Sequence, residues 1–169
     1  MNLIAFDLFG TVFDLSGVDR REIVAYIDHI SHPEWSMLEL PKSWEQLPPY
    51  PDSREGIERL RKKFTAVTCS NAPLGFTTRL LKNADIRFDA ITPLEMIPAY
   101  KPDPRCYLLP GHSQGVYWGD CHMVTGNIRL GRNPKGDHQY AAEQGIKGHL
   151  IRNPGCPQTI TELAEQLGC

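Results

Sequence analysis

The stretch Leu3-Ile4-Ala5-Phe6-Asp7-Leu8-Phe9-Gly10-Thr11 decides the reading: four apolar residues run into an acid, and a glycine follows in the next turn. An apolar run this short, stopped by Asp7 and Gly10, is the pattern of a buried strand ending in a tight loop. Working outward, Asp52 with Glu55 makes a capping box, and Ile57, Leu60 and Phe64 fall at helical spacing, so 53–63 reads as an amphipathic helix. A strand follows at Thr65–Cys69, ending on Ser70 and Asn71, and Pro73 opens a helix running to about Ala84. Further strands are expected at Phe88–Thr92, His122–Thr125 and His149–Arg152. The proline-rich Pro98–Pro104 reads as a loop with a single helical turn after it through Tyr107. Helices are expected at 137–144, capped by Gly145, and from Thr159 to Leu167.

Strands alternating with helices predict a Rossmann-like α/β fold, a parallel sheet flanked by helices, occupying all of residues 1–169 as one domain. In such sheets the reactive groups collect at the carboxyl ends of the strands. That rule selects Asp7, Ser70 with Asn71, and Thr125 to Asn127, with Lys101 in the loop after the Phe88–Thr92 strand. A carboxylate so placed can attack a substrate covalently, splitting one difficult displacement into formation and hydrolysis of an ester or acyl phosphate. A lysine beside it stabilises the charge, and hydroxyl and backbone donors bind substrate oxygens.

Composition narrows the classes. With 169 residues, 41% of them hydrophobic, the chain can bury a real core. Its 18 basic and 20 acidic residues leave a formal charge of −2, so neither a nucleic-acid groove nor a membrane-binding surface is expected. Fourteen prolines and 14 glycines predict a loop-rich molecule. The N-terminal segment lacks a basic leader region and is broken by Asp7, which points to a cytoplasmic chain. Five widely spaced cysteines read as free thiols, and Cys106, His112, Cys121 and His122 lack the tight spacing of a zinc site.

Phe6-Asp7-Leu8-Phe9-Gly10-Thr11-Val12-Phe13-Asp14 resembles the first motif of the haloacid dehalogenase-like hydrolase superfamily. Val67-Thr68-Cys69-Ser70-Asn71 resembles the second, Tyr100-Lys101-Pro102-Asp103-Pro104-Arg105-Cys106-Tyr107 the third, and the acidic helix beginning at Asp137 the fourth. The resemblance implies that fold, with Asp7 as nucleophile, Thr11 bracing its loop, and Ser70, Asn71, Lys101 and Asn127 as catalytic partners. It implies Phe9, Gly10, Tyr107 and Thr125 around the substrate. Phosphatases of the superfamily carry a second acid where this chain has Phe9, and usually a metal-binding Asp where it has Asn127. The 2-haloacid dehalogenase branch is similar at both positions, at Tyr107, and at the cap return Leu47-Pro48-Pro49-Tyr50-Pro51-Asp52.

Two departures qualify the match. The segment 14–46 has room for only one helix, near Asp19–Ile30, so a reduced cap is expected that leaves the site open to large substrates or a covering partner. Arg20 or Arg21 is a candidate for the carboxylate-binding arginine that the branch carries in its cap. The insertion 128–136 separates Asn127 from Asp137 by ten positions and puts Asp137 in doubt as a direct site residue, and Asp120 stands as a rival to Asn127, ranked below it, for the position where phosphatases bind a metal. Arg129, Arg132 and Lys135 in that insertion read either as an anion-binding loop or as a solvated surface.

Three functions therefore stand at this stage. One is a metal-independent, dehalogenase-type hydrolase needing no cofactor. The second is a Mg-dependent phosphatase holding the ion on Asp7, the Phe9 carbonyl and Asp137. The third is a non-catalytic or partner-dependent module on the same fold. A small-molecule substrate, and a monomer or homodimer, are expected for the enzymes; Trp35, Trp44 and Tyr50 are either an apolar patch or core aromatics.

Overall fold

Every strand of the computed structural model, which describes residues 1–169, runs parallel to its neighbours. They are β1 (Asn2–Phe6), β2 (Phe64–Thr68), β3 (Ala90–Ile91), β4 (Cys121–Thr125) and β5 (Lys147–Leu150), in spatial order β3-β2-β1-β4-β5. The opening strand is thus central, as its unbroken apolar run requires, because a parallel sheet is covered on both faces. Alternate residues of β1 serve opposite cores. Ile4 and Phe6 join α2 (Ser53–Leu60), α3 (Leu74–Ala84) and α6 (Ile160–Gln166) through Ile57, Leu80 and Leu163. Leu3 and Ala5 face α4 (Pro104–Gln114) and α5 (Asp137–Glu143) through Cys106, Tyr107 and Ala141. The register pairs Phe6 with both Thr68 and Val124, so the residues that follow, Asp7, Cys69 and Thr125, emerge at one edge.

Several elements differ from their sequence reading for identifiable reasons. Instead of a single turn, α4 runs from Pro104 to Gln114 with Pro110 inside it. Proline removes the amide that would bond the carbonyl four residues earlier, and that carbonyl, of Cys106, accepts the Cys69 thiol at 3.5 Å instead. Asp52 does not cap α2. Its carboxylate takes both guanidinium nitrogens of Arg152 at 3.0 Å and the Ile160 amide at 2.7 Å, a bidentate charged arrangement stronger than a cap. β3 keeps only two residues, and Asp89 before it bonds the Ala66 amide with its side chain. β5 begins two residues earlier than read, and α2 stops at Leu60.

The cap segment 14–46 forms α1 (Arg20–Ile30), capped by the Asp19 carboxylate on the Arg21 amide, and a short 3-10 helix at Lys42–Gln46. Trp44 in that turn is fully buried, while Trp35 and Tyr50 are half-buried, which makes the aromatics packing elements of the domain. The Tyr100 hydroxyl donates to the Ser36 carbonyl and ties the cap's descending strand of chain to the Lys101 loop. All five cysteines are free, and no helix is long and apolar enough to cross a membrane.

His122 of β4 and His149 of β5 stack with planes 4° apart, Nδ1 of the first 2.8 Å from Nε2 of the second, and the Phe64 ring covers His122 edge-on. Burial, then the neighbouring His149 and Lys147, pulls the His122 pKa down to about 4; burial lowers His149 as well. The folded state therefore holds both rings neutral, whereas the unfolded chain protonates them near the ordinary histidine value of about 6.5. Their stabilising contribution is complete above that pH and is lost as pH falls through about 4. Thermal melts from pH 7 to 4 should show a decline in Tm that is visibly shallower in His122→Phe than in the parent; parallel curves would refute the assignment.

Candidate active site

Asp7 follows β1 and opens a tight loop in which the amides of Thr11, Val12 and Phe13 all donate to the Leu8 carbonyl, at 3.2, 2.9 and 3.0 Å. Gly10 takes a positive φ of 76°, and a Cβ there would lie 2.7 Å from the Asn127 side chain. Gly126 is tighter still: a Cβ would sit 2.2 Å from the Gly10 carbonyl oxygen. The two glycines let the loops after β1 and β4 interlock, and the Gly126 amide bonds Thr11 Oγ1 at 2.7 Å.

That interlock fixes the surroundings of the Asp7 carboxylate. Oδ2 accepts from Thr11 Oγ1 at 3.1 Å, Thr125 Oγ1 at 3.2 Å and Asn127 Nδ2 at 2.8 Å. Each threonine oxygen already accepts a backbone amide, of Gly126 and Asn127 respectively, which orients its single proton toward Asp7. The second proton on Asn127 Nδ2 goes to the Phe9 carbonyl at 2.7 Å. Oδ1 has one partner, Lys101 Nζ at 3.2 Å, and so retains free lone pairs.

Lys101 bridges two carboxylates. Its ammonium lies 2.7 Å from Asp137 Oδ2, and the Tyr107 hydroxyl donates to Asp137 Oδ1 at 2.6 Å. The Lys101 side chain is 1% exposed. Burial alone would lower its pKa, but Asp137 and Asp7 outweigh burial and hold it well above the ordinary lysine value. Asp137 is shifted upward, first by burial and then by the Asp7 charge, against the pull of Lys101. Tyr107 is also pushed up by burial and by Asp137, so it remains a hydroxyl donor.

The insertion does not carry Asp137 away from Lys101 and Asp7. The chain loops out after Asn127 and returns to the same point: a Cβ on Gly136 would be 2.6 Å from the Asn127 carbonyl oxygen. Asp137 therefore starts α5 beside Asn127, while Asp120, the alternative to Asn127, precedes β4, at the opposite edge of the sheet. Ser70 and Asn71 are buried after β2, as read: Ser70 Oγ accepts the Ala72 amide, and Asn71 Oδ1 holds the Lys101 amide at 2.9 Å. Asn71 Nδ2 is buried without a partner.

Asp7 is only 7% exposed, enclosed by Thr11, Lys101, Thr125 and Asn127, and α1 lies across the site from it. A cavity of about 160 Å³ separates them, lined by Asp7, Phe9, Asn127 and Arg129 on one side and by Ile23 and Tyr26 of α1 on the other. Phe9 packs edge-on against Tyr26, Trp44 and Phe76 at centroid distances of 5.6, 5.3 and 6.2 Å, anchoring the cap to the sheet. Tyr26 was not among the expected site residues, although Ile23, Tyr26, Ile27 and Ile30 recur at helical spacing and mark the buried face of α1. Burial, and then the Asp7 charge, raise its pKa and keep it neutral. Arg20 and Arg21 are exposed, the latter paired with Asp19, and neither lines this cavity. No three or more His, Cys, Asp or Glu side chains gather where a metal ion could be held.

Sheet order, motif positions and the covered edge together define a haloacid dehalogenase-like fold. A defluorinating L-2-haloacid dehalogenase superposes with a TM-score of 0.79 at 22% identity, covering 100% of this chain and 96% of the other. The L-2-haloacid dehalogenase of Xanthobacter autotrophicus gives 0.68 at 21% identity, over 99% and 82%. A HAD phosphatase from Thermococcus onnurineus gives 0.70 at 19% identity, over 99% and 98%. No protein-family model and no curated protein sequence matches the chain.

Removing the lysine while leaving both acids should be costly, because a buried charge stripped of its partner typically loses about 3–5 kcal/mol. Lys101→Met is accordingly expected to lower urea stability by roughly that amount, and Lys101→Met/Asp137→Asn to regain about half or more of it. Equal loss in the single and double variants would show that Lys101 acts through packing alone.

Proposed function

We propose that this protein is a metal-independent hydrolase that displaces halide from a short 2-halocarboxylate through an ester on Asp7. The observation that carries the reading is the asymmetric Asp7 carboxylate, with three donors on Oδ2 and a single one, Lys101, on Oδ1. Oδ1 attacks the halogen-bearing carbon from the side opposite the leaving group; the C–O bond forms as the carbon–halogen bond breaks, and halide departs with the electron pair. Water then adds to the Asp7 carboxyl carbon. The charge that develops on Oδ2 is met by the Thr11, Thr125 and Asn127 donors already directed at it, an electrostatic arrangement that needs no reorganisation. Collapse releases the 2-hydroxy acid and restores the carboxylate, with water consumed and one proton set free.

Lys101 holds Oδ1 in place and Asp137 with Tyr107 holds Lys101; these are positioning roles. Phe9 offers no proton, which suits a leaving group that departs as a stable anion. Cavity size supports a small substrate: about 150 Å³ accommodates benzene, on the order of six heavy atoms, the size of a three-carbon halo acid. One solved neighbour, the Xanthobacter autotrophicus enzyme, has been seen with chloropropionic acid covalently bound.

The donor set does not fit the magnesium alternative. An ion shared by Asp7 and Asp137 would have to take the place of the Lys101 ammonium, 3.2 and 2.7 Å from the two carboxylates. The Phe9 carbonyl, the third ligand expected, is engaged by Asn127 Nδ2, whose N–H protons also point at Asp7. An amide nitrogen between two acceptors cannot be exchanged for its oxygen without losing both bonds.

Purified protein is expected to release chloride from 2-chloropropionate equally well with magnesium and with chelator, and Asp7→Asn is expected to lose this activity. A single turnover in ¹⁸O water should place the label first in the Asp7 peptide by mass spectrometry. Release of phosphate from acetyl phosphate that is abolished by chelator, with no halide released, would overturn the proposal.

A further inference from the structure

We infer that the 128–136 loop is a substrate-recognition element in which Arg129 binds the carboxylate of the substrate; this rests on the hydrolase reading above. Asp7 and Arg129 are the charged side chains lining the cavity. Of the loop's three cations, Arg132 is paired with Asp28 of α1 and Lys135 with Glu143 of α5, whereas Arg129 has neither an ion-pair partner nor a side-chain hydrogen bond. The two pairs act as guy-lines, tying the loop to the cap on one side and to α5 on the other. Between them Leu130 is buried, its amide bonds the Lys135 carbonyl at 2.9 Å, and Gly131 lies against Ile27 and Ile30 of α1. The loop thus has contacts on both sides of Arg129 while the Arg129 guanidinium stays uncommitted.

Other cations near the site are already engaged or lie elsewhere. Lys101 is shared between Asp7 and Asp137, and the cap arginines Arg20 and Arg21 do not line the cavity. An anionic substrate approaching the Asp7 carboxylate meets repulsion that one facing guanidinium offsets, and a planar carboxylate matches the guanidinium fork in two parallel hydrogen bonds. Because Asp7, Lys101 and Asp137 together already carry one excess negative charge, a single free cation leaves one net negative charge in the site with a monoanion bound and two with a phosphate dianion. The charge count therefore selects a carboxylate over a phosphate. With the carboxylate held at Arg129, the neighbouring carbon is directed toward Asp7.

Propionate, which carries the carboxylate and cannot react, is the probe for calorimetric titration of the whole chain, with inorganic phosphate as the second arm. The parent should bind propionate, Arg129→Ala about 10- to 100-fold more weakly, as expected for loss of a charged hydrogen-bonded pair, and Arg129→Lys in between. With 2-chloropropionate, Arg129→Ala should raise KM by a similar factor while kcat falls much less. Failure of the parent to bind propionate, equal binding by parent and Arg129→Ala, or Arg129-dependent binding of phosphate in place of propionate would each overturn the inference. Arg129-dependent propionate binding without halide release would instead sustain the carboxylate site and remove the dehalogenase reading. Circular dichroism verifies the fold of each variant, and Arg129→Lys carries the same comparison if the alanine variant is misfolded.

Discussion

A lysine ammonium held between two buried carboxylates is the constraint on which the site depends. Asp7, Lys101 and Asp137 come from the end of β1, the loop before α4 and the first residue of α5, so three separate segments must converge for any of the charges to be tolerated. Desolvating them costs several kcal/mol per ion, and the attraction between them offsets this only if the remaining lone pairs are satisfied. Here most are: Tyr107 bonds the second oxygen of Asp137, and two threonines and an asparagine satisfy Oδ2 of Asp7, leaving only Oδ1 with free lone pairs beside Lys101. The group still carries one more negative than positive charge, and Asp137 is shifted upward, first by burial and secondarily by the Asp7 charge. An arrangement so demanding of its neighbours also explains the interlocked glycines, since Gly10 and Gly126 are what allow the Thr11 and Asn127 donors to reach one oxygen.

The cap and the insertion, which read as two separate departures from a resemblance, form one structural unit. A cap reduced to α1 and a 3-10 turn has too little mass to close over a strand edge alone. The loop 128–136 supplies the opposing wall, joined to α1 by the Arg132–Asp28 pair and by Gly131 against Ile27 and Ile30. Phe9 completes the closure from below by packing on Tyr26 and Trp44. The cavity over Asp7 is thereby walled without a large helical domain.

How much of this was legible in the sequence follows from the range of the interactions involved. β1, β2, β4, α1 and α3 were readable because their signals are local: apolar runs, caps and a proline in the first turn. The positions of Asp7, Ser70, Asn71, Thr125 and Asn127 followed from strand ends, and the structure gathers them at one edge. What escaped was non-local. Asp52 looks like a helix cap until Arg152 arrives from the far end of the chain, and Pro110 looks like a terminator until Cys69 supplies the donor its neighbour needs. Asp137 looks distant because length in sequence was taken for distance in space, whereas an insertion whose ends nearly meet displaces nothing on either side. A loop's closure entropy rises only slowly with its length, so such out-and-back excursions cost a fold little.

The same geometry bears on why the fold alone does not determine the chemistry. Dehalogenases and a phosphatase superpose on this chain with comparable scores, so the sheet that they share does not by itself set the reaction. The distinction lies in what surrounds the Asp7 carboxylate. An acid at the position of Phe9 would bring a proton to a leaving alkoxide, and it would add a further negative charge to a cluster already in excess. Phe9 instead contributes an apolar wall, and Asn127 turns N–H protons, not lone pairs, toward Asp7 and the Phe9 carbonyl. Each of these residues lowers the local negative charge or satisfies it with a fixed donor. A carboxylate held by a lysine and by fixed neutral donors is consistent with the proposed displacement of a leaving group that already departs as an anion, and with a substrate whose single charge is met at the cavity wall.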